Sequence, residues 1–313
     1  MLSDMVKRLY NSFIFKRCDD VGTAYYFSEK DFDGLAAESY VFSGNKGQKL
    51  QGYFYSYPNP DQIRIIVFDH GMGGGHRSYM REIEMLARHG YKVFAYDHTG
   101  CMQSEGENTV GFTQSLCDLD CCLKTLKADE NLKGKTFSVI GHSWGGYSAL
   151  NISAFHPDIT HTVVLSGPAS VEIITQQFGP LKGAVRQIEK EANPDYYNCD
   201  GVISLKNTKA KALLIYSDND KMVNKEANFE YLKANLSGRN NTFFHLEKHK
   251  DHNPNYTSDA VRYLGEYLAE LNKKQKQLKT AQQKKAFVDS FDWWRMTAQD
   301  ENVWAKIFDF LDN

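Results

Sequence analysis

Two stretches of this chain, Ile63–Phe68 and Ala210–Tyr216, which read Ile-Arg-Ile-Ile-Val-Phe and, from 212, Ala-Leu-Leu-Ile-Tyr, are apolar at nearly every position. A strand with one wet face alternates polar and apolar side chains, so runs this apolar fit central strands buried on both faces. Six further strand-like runs accompany them: Glu38–Phe42, Leu50–Tyr57, Tyr91–Tyr96, Thr136–Ile140, Thr160–Leu165 and Thr242–Leu246. Helix-like stretches fill the gaps at Ser78–His89, Thr113–Ala128, Ser143–Phe155, Lys225–Leu236 and Ser258–Asn272. Strand alternating with helix predicts an α/β fold with a mostly parallel eight-stranded sheet flanked by helices. Glu38–Phe42 and Leu50–Tyr57 are more polar and fit an antiparallel edge hairpin. Ligands of such sheets sit outside the carboxyl ends of the strands, which is where chemistry is to be sought.

The organisation around this alternation has three irregularities. Residues 1–37 open with Leu2, Met5, Val6, Leu9 and Phe13 at helical spacing, which predicts an N-terminal helix docked on the main domain. Between the sixth and seventh strands lie residues 167–209, with helical pieces at Val171–Phe178 and Leu181–Glu191. A crossover needs far less chain, so this excess predicts a helical lid over the strand ends. Beyond the main domain at 38–270, residues 272–285 hold six lysines and no acid, as a solvated extension would. Phe287, Phe291 and Trp294, then Trp304, Ile307, Phe308 and Leu311, follow at helical spacing. So dense an apolar stripe must be buried, on the domain's own surface or against a second copy in a homo-oligomer.

Composition excludes several classes. Lys and Arg total 37 against 39 Asp and Glu, without the basic excess of a dedicated nucleic-acid binder. No window approaches the roughly 20 apolar residues that span a bilayer. Cys18, Cys101, Cys117, Cys121, Cys122 and Cys199 form no CxxC pair, so they read as buried thiols in a reduced, cytoplasmic setting. The N-terminus lacks the continuous apolar core of a secretory signal, and neither membrane contact nor a cofactor is expected.

The chemistry is carried by Gly141-His142-Ser143-Trp144-Gly145-Gly146. The pattern G-x-S-x-G is weakly specific alone, but here a strand ends just before it and a helix begins just after. That context makes it a nucleophile elbow, in which a tight strand-to-helix turn lifts the serine hydroxyl clear of the backbone. Glycines at 141 and 145 let strand and helix approach around the turn. A serine hydroxyl needs a base, and the base an orienting acid. In this architecture they follow in the order acid, then histidine. Asp218 and Asp220 stand just past the seventh strand, and His249 and His252 just past the eighth. A tetrahedral intermediate also needs hydrogen-bond donors. The N–H of Trp144, directly after the serine, is one. The glycine-rich loop His70-Gly71-Met72-Gly73-Gly74-Gly75 after the third strand offers Met72 as the other. No Lys-Ser/Thr pair follows to make that loop a phosphate cradle, and no H-E-x-x-H or comparable ligand spacing predicts a metal. Asp97 is read as bracing its own loop, and His89, His156 and His161 as surface or helix-end residues.

These motifs together resemble the α/β-hydrolases, in the serine hydrolase branch that includes lysophospholipase-like and serine aminopeptidase-like proteins. The resemblance spans about residues 38–270. His70-Gly71 matches the family's oxyanion motif, Gly141 to Gly145 its elbow, and Asp97 to Ser104 its D-x-x-G-x-G-x-S loop, with Met102 replacing the second glycine. The family's acid stands in a G-x-x-D-x-x-V-like turn. That implies Asp220, with Ser217 in place of the glycine. His252-Asn253-Pro254 fits the family histidine better than His249 does. The resemblance implies a Ser143–Asp220–His252 triad forming an acyl-enzyme, with a small-molecule ester as the expected substrate. Val171, Ile173, Ile174, Phe178, Leu181 and Val185 in the lid favour an acyl chain or aromatic acid. An aminopeptidase would need acids to hold a free amine, for which Glu172, Glu189 and Glu191 are the candidates. Thioester hydrolysis or acyl transfer would use the same triad.

Overall fold

The computed structural model describes residues 2–60 and 63–313, without the side chains of residues 2–4 and 13. Leu2 and Phe13 of the expected N-terminal stripe therefore lie outside the described side chains. All eight expected strands form one sheet: β1 (Ala36–Ser43), β2 (Lys49–Ser56), β3 (Arg64–Asp69), β4 (Lys92–Tyr96), β5 (Thr136–His142), β6 (His161–Leu165), β7 (Lys211–Ser217) and β8 (Thr242–Glu247). Their order is β1-β2-β4-β3-β5-β6-β7-β8. The β1–β2 hairpin is antiparallel, and β2 joins β4 antiparallel as well. Every pairing from β4 through β8 is parallel.

The apolar runs are explained by the layers on either side. Ile65 and Val67 of β3 and Leu214 of β7 share one core with α3 (Gln114–Ala128), α4 (Trp144–Asn151) and α8 (Tyr231–Leu236). Ile66, Phe68, Leu213 and Ile215 face a second core with α2 (Met80–Arg88) and α12 (Glu301–Asp312). Alternate residues of one strand thus enter two dry layers, and no position on it can be polar without cost.

The N-terminal helix α1 (Leu2–Leu9) continues through one wide turn, Tyr10–Ile14. Val6 and Tyr10 bury themselves against the segment expected as a lid. That segment carries α5 (Val171–Gln176), α6 (Lys182–Ala192) and a third helix, α7 (Gly201–Lys206), which the sequence reading did not contain. Six residues are too few for a periodicity to show. Asp200 caps α7, and Ser204 binds Asn151 of α4 at 2.8 Å.

At the chain's end, α9 (Ser258–Lys274) buries only Ala260 and Tyr267. Tyr267 packs with Phe287 of α10 (Ala281–Asp289) and Met296 of α11 (Trp293–Met296) in a small satellite core. It is α12 that covers the sheet, through Val303, Trp304, Ile307 and Leu311. Most of the aromatic tail is therefore buried by its own domain, while Trp294 stays 47% exposed. No described helix is long and apolar enough to cross a membrane.

The structure corrects two histidines. His156, expected at the surface, is buried and binds Asp120 at 2.8 Å. His161 opens β6 and is buried with its ring edge-on to Phe310. Both are drawn inside by tertiary packing, which local sequence does not carry. Cys101, Cys117 and Cys122 are buried, Cys18, Cys121 and Cys199 half-buried, and all six are free thiols.

Candidate active site

β5 delivers the elbow. Ser143 takes φ 55° and ψ −113°, a region that a residue with a Cβ enters only at a cost of order 1–3 kcal/mol. Surrounding contacts hold it there: its N–H binds Leu165 O at 2.9 Å, and its carbonyl accepts from Tyr147 N at 3.0 Å. The flanking glycines are required by space. A Cβ on Gly141 would lie 2.1 Å from Gly145 O, and one on Gly145 would lie 2.1 Å from Asp69 O. The turn is thereby packed directly onto the end of β3.

Ser143, Asp220 and His252 come together at the carboxyl ends of the strands. His252 Nε2 lies 2.7 Å from Ser143 Oγ, and His252 Nδ1 lies 2.8 Å from Asp220 Oδ2. A carboxylate only accepts, so Nδ1 carries the hydrogen and Nε2 is left to accept from the serine hydroxyl. The turn after β7 prepares Asp220: its other oxygen accepts the N–H groups of Met222 at 2.8 Å and Val223 at 2.9 Å. Burial works against the Asp220 carboxylate, but His252 and these two N–H groups outweigh it and hold its pKa below the usual range. The two reserve residues stand outside this cluster. Asp218 accepts from the backbone N–H of His249 at 2.8 Å, tying the acid turn to the histidine loop, and both side chains are exposed. Ser217, at the family's glycine position, donates to Lys250 O in the same loop.

The expected donors lie at the same end of the sheet. Trp144 N–H is the first of α4 and has no acceptor within the helix. In the loop after β3, His70 bonds through Nδ1 to the carbonyl of Gly71 at 2.7 Å and accepts His98 N–H on Nε2 at 3.0 Å. The carbonyl fixes Nδ1 as the donor. No described peptide bond is cis, so with the Gly71 carbonyl held on the His70 ring, the Met72 N–H is turned the opposite way. A Cβ on Gly71 would fall 3.3 Å from Ser143 Cβ, which puts this backbone against the serine. Burial, with His98 beside it, pushes His70 down to about 3, so the ring is neutral.

Under the loop sits a group that sequence reading missed. His98 Nε2 lies 2.6 Å from Asp69 and its Nδ1 3.3 Å from Asp118, all three fully buried. Burial opposes the charge on His98, but the two carboxylates prevail and raise it to about 9. Its ring packs 4.7 Å from that of Trp144. Asp97 braces its loop as expected, accepting from His76 N at 2.9 Å and Gln103 N at 3.1 Å. Met102, at the family's second glycine, has φ 42°, the left-handed conformation a glycine would take without strain.

Three more residues have tasks that the sequence reading did not assign them. His142 bridges Tyr79 OH at 2.8 Å and the backbone carbonyl of His252 at 2.9 Å. Lys250, 3% exposed, ties the histidine loop to Pro254 O at 2.9 Å and Asp300 at 2.7 Å, just ahead of α12. Glu189 of α6 is buried and accepts Phe112 N at 2.6 Å, Thr113 N at 3.1 Å and the Tyr10 hydroxyl. Only the His142 position, inside the elbow, carried a local signal. Of the acids weighed for an amine pocket, Glu189 is thus spent on loop backbone, Glu172 pairs with Arg186, and Glu191 pairs with Lys7. Among the described residues no three His, Cys, Asp or Glu side chains converge to hold a metal ion.

The sheet order, its helical layers and the elbow at the end of β5 define an α/β-hydrolase. Residues 60–239 match the model of the family described as serine aminopeptidase, S33, and the chain belongs to that family. Among solved structures, the esterase Pf2001 of Pyrococcus furiosus is 21% identical, with a TM-score of 0.59 over 84% of this chain and 98% of its own. An acylaminoacyl peptidase of Pyrococcus horikoshii is 16% identical, with a TM-score of 0.54 over 71% of this chain and 38% of its own. At such identities the likeness is one of fold. Curated relatives include the uncharacterized protein YfhR of Escherichia coli K12, 26% identical over 133 residues, which are 41% of this chain and 46% of YfhR. A 2-hydroxy-6-oxo-6-(2'-aminophenyl)hexa-2,4-dienoic acid hydrolase of Metapseudomonas resinovorans is 27% identical over 158 residues, 46% of this chain and 52% of its own. The chain spans about half the length of the curated relatives it matches. Family and fold together support a hydrolytic enzyme.

Proposed function

We propose that this protein is a serine hydrolase of carboxylic esters, with Ser143 as nucleophile, His252 as base and Asp220 as the acid that orients it. The observation that carries the reading is the continuous relay of 2.7 Å and 2.8 Å from Ser143 through His252 to Asp220. In it the serine hydroxyl already donates to the nitrogen that must take its proton. Attack of Oγ on the ester carbonyl moves that proton to His252 Nε2, and Asp220 stabilises the imidazolium. The N–H groups of Trp144 and Met72 receive the oxyanion. Collapse expels the alcohol, which takes the proton from Nε2. Water then enters, gives a proton to the same nitrogen and releases the acid from Ser143.

Esters are favoured over N-terminal peptide bonds because the lid's acids are engaged elsewhere, whereas Ile173, Ile174 and Phe178 of the lid pack only partly buried against the core. That apolar character of the segment suits a lipid-like acyl group. The test compares wild type with Ser143→Ala on nitrophenyl esters of increasing chain length, with an aminoacyl nitroanilide alongside. Ester turnover that vanishes in the variant supports the reading. Nitroanilide turnover exceeding ester turnover replaces it with the peptidase, and ester turnover surviving in the variant removes Ser143 from the mechanism.

A further inference from the structure

The N-terminal helix was expected to dock on the domain, and its inner face does so. Val6 and Tyr10 are buried, and the Tyr10 ring lies 5.9 Å from that of Phe178 in the lid segment. Other described apolar residues here remain outside. Met5 is 53% exposed, Leu9 48%, Ile14 42%, and Leu181 of the facing segment 46%. Leu9, Ile14 and Leu181 rim an apolar groove of about 220 Å³, floored by Val6, Tyr10 and Val185. Three large apolar side chains left in water around one groove, with Met5 exposed on the same helix, are a feature that soluble surfaces seldom keep without a use.

The charges around the groove say what that use is. Residues 5–17 and 176–188 together contain Lys7, Arg8, Lys16, Arg17, Lys182 and Arg186 and no Asp or Glu. Lys7, Arg17 and Arg186 are paired with Glu191, Asp19 and Glu172 from outside these segments. Arg8, Lys16 and Lys182 are exposed and have no carboxylate partner among the described residues. Arg8 stands one helical turn from Met5, and Lys182 directly follows Leu181, so cations without a described carboxylate partner border the exposed apolar residues. A protein partner could match the apolar groove alone. An apolar ridge edged with cations that have no carboxylate partner among the described residues matches a bilayer bearing anionic headgroups, where side chains such as Leu and Ile enter the acyl boundary and Lys and Arg meet phosphate.

We propose that the outer face of the N-terminal helix and Leu181–Lys182 form a docking surface for an anionic lipid bilayer. Leu181 and Lys182 belong to the segment that leaves the carboxyl end of β6, the end of the sheet that carries Ser143. Docking there places the expected lid at the lipid boundary. The inference does not rest on the ester reading, because docking requires no turnover.

The test uses the full chain and sedimentation with vesicles of phosphatidylcholine alone or with phosphatidylserine. Wild type should bind the phosphatidylserine vesicles, and more weakly as salt rises. Leu9→Asp/Ile14→Asp should reduce binding at least about ten-fold. Arg8→Glu/Lys182→Glu should do the same, since each basic residue near an anionic surface contributes roughly five-fold. All four positions are exposed, so the thermal midpoint and turnover of a short soluble ester should stay at wild-type values. Ser143→Ala should bind vesicles as wild type does, which separates failure of docking from failure of the hydrolase reading. Wild type that binds neither vesicle overturns the proposal, as do variants that bind undiminished. A wild-type dimer in solution that Leu9→Asp/Ile14→Asp splits would assign the surface to a second copy instead.

Discussion

His142, the residue before the proposed nucleophile, donates from Nε2 to the main-chain carbonyl of His252, the proposed base, at 2.9 Å. The carbonyl can only accept, so Nδ1 of His142 must accept from the Tyr79 hydroxyl. Burial and the neighbouring His252 push His142 down to about 3, which keeps this bonding pattern intact across neutral pH. The elbow thereby holds the loop that presents the base. His142→Ala should lower kcat by about 10- to 100-fold while KM moves only a few-fold, because the loss is one of alignment. Equal changes in both would show that His142 acts in binding instead. Steady-state kinetics on one soluble ester distinguishes the two.

Asp220 and Asp218 are two residues apart, yet only Asp220 reaches the histidine ring. Asp220→Asn should reduce kcat by about ten-thousand-fold, as loss of the orienting carboxylate does in a triad. Asp218→Asn loses one backbone contact and should stay within about ten-fold of wild type, with the remaining loop bonds holding alignment. Reversal of this order would move the acid to Asp218.

Gly145 and Gly183 offer a paired test of close packing. Gly145→Ala would put a Cβ 2.1 Å from the Asp69 carbonyl, whereas nothing lies within 4 Å of the same atom at Gly183. Gly145→Ala should destabilise by several kcal/mol or fail to yield soluble protein. Gly183→Ala, in the first turn of α6, should be neutral or stabilising by up to about 1 kcal/mol. Thermal melts of the two variants decide it.

Glu82 links stability to pH. Burial pushes its carboxyl up to about 7, against the Asn255 amide that bonds it. The folded state therefore holds a proton that the unfolded chain, titrating near 4.5, releases earlier. Its stabilising contribution is complete below about 4.5 and is lost as pH rises through about 7, roughly 3 kcal/mol in all. Glu82→Gln keeps a neutral side chain at every pH. Its stability measured against wild type should improve by about that amount between pH 4.5 and pH 8. A constant difference across this range would mean that Glu82 titrates at its ordinary value.

The C-terminal segment does two jobs. Trp304 is buried in the core against the sheet, and Trp304→Ala should cost about 3–5 kcal/mol in denaturant unfolding. Asp300→Ala should cost about 2–3 kcal/mol, below the usual figure for a buried ion pair because Asp300 is 21% exposed and Glu247 also lies 3.5 Å from Lys250. It should also lower kcat, since Lys250 joins the histidine loop to α12. Deleting residues 287–313 should abolish soluble expression. Folded, active truncated protein would refute this account of the tail.

Much of this protein could be read from local sequence. The double-sided strands, the helix periods and the glycines of the elbow are short-range signals, because a strand's facing or a turn's crowding is decided within a few residues. The strand ends also located the acid and base loops. Sequence spacing left Asp218 against Asp220 and His249 against His252 open. The choice depended on which side chains meet across 32 and 109 residues of chain. Tertiary structure alone brought His142 onto the His252 carbonyl, buried His98 between Asp69 and Asp118, and spent Glu189 on a distant loop. It also laid α12 over the sheet and drew His156 and His161 inside. Each of these is a buried polar or packing demand met by a partner far away in sequence. Local propensity and periodicity contain no term for a partner that only the completed fold brings near.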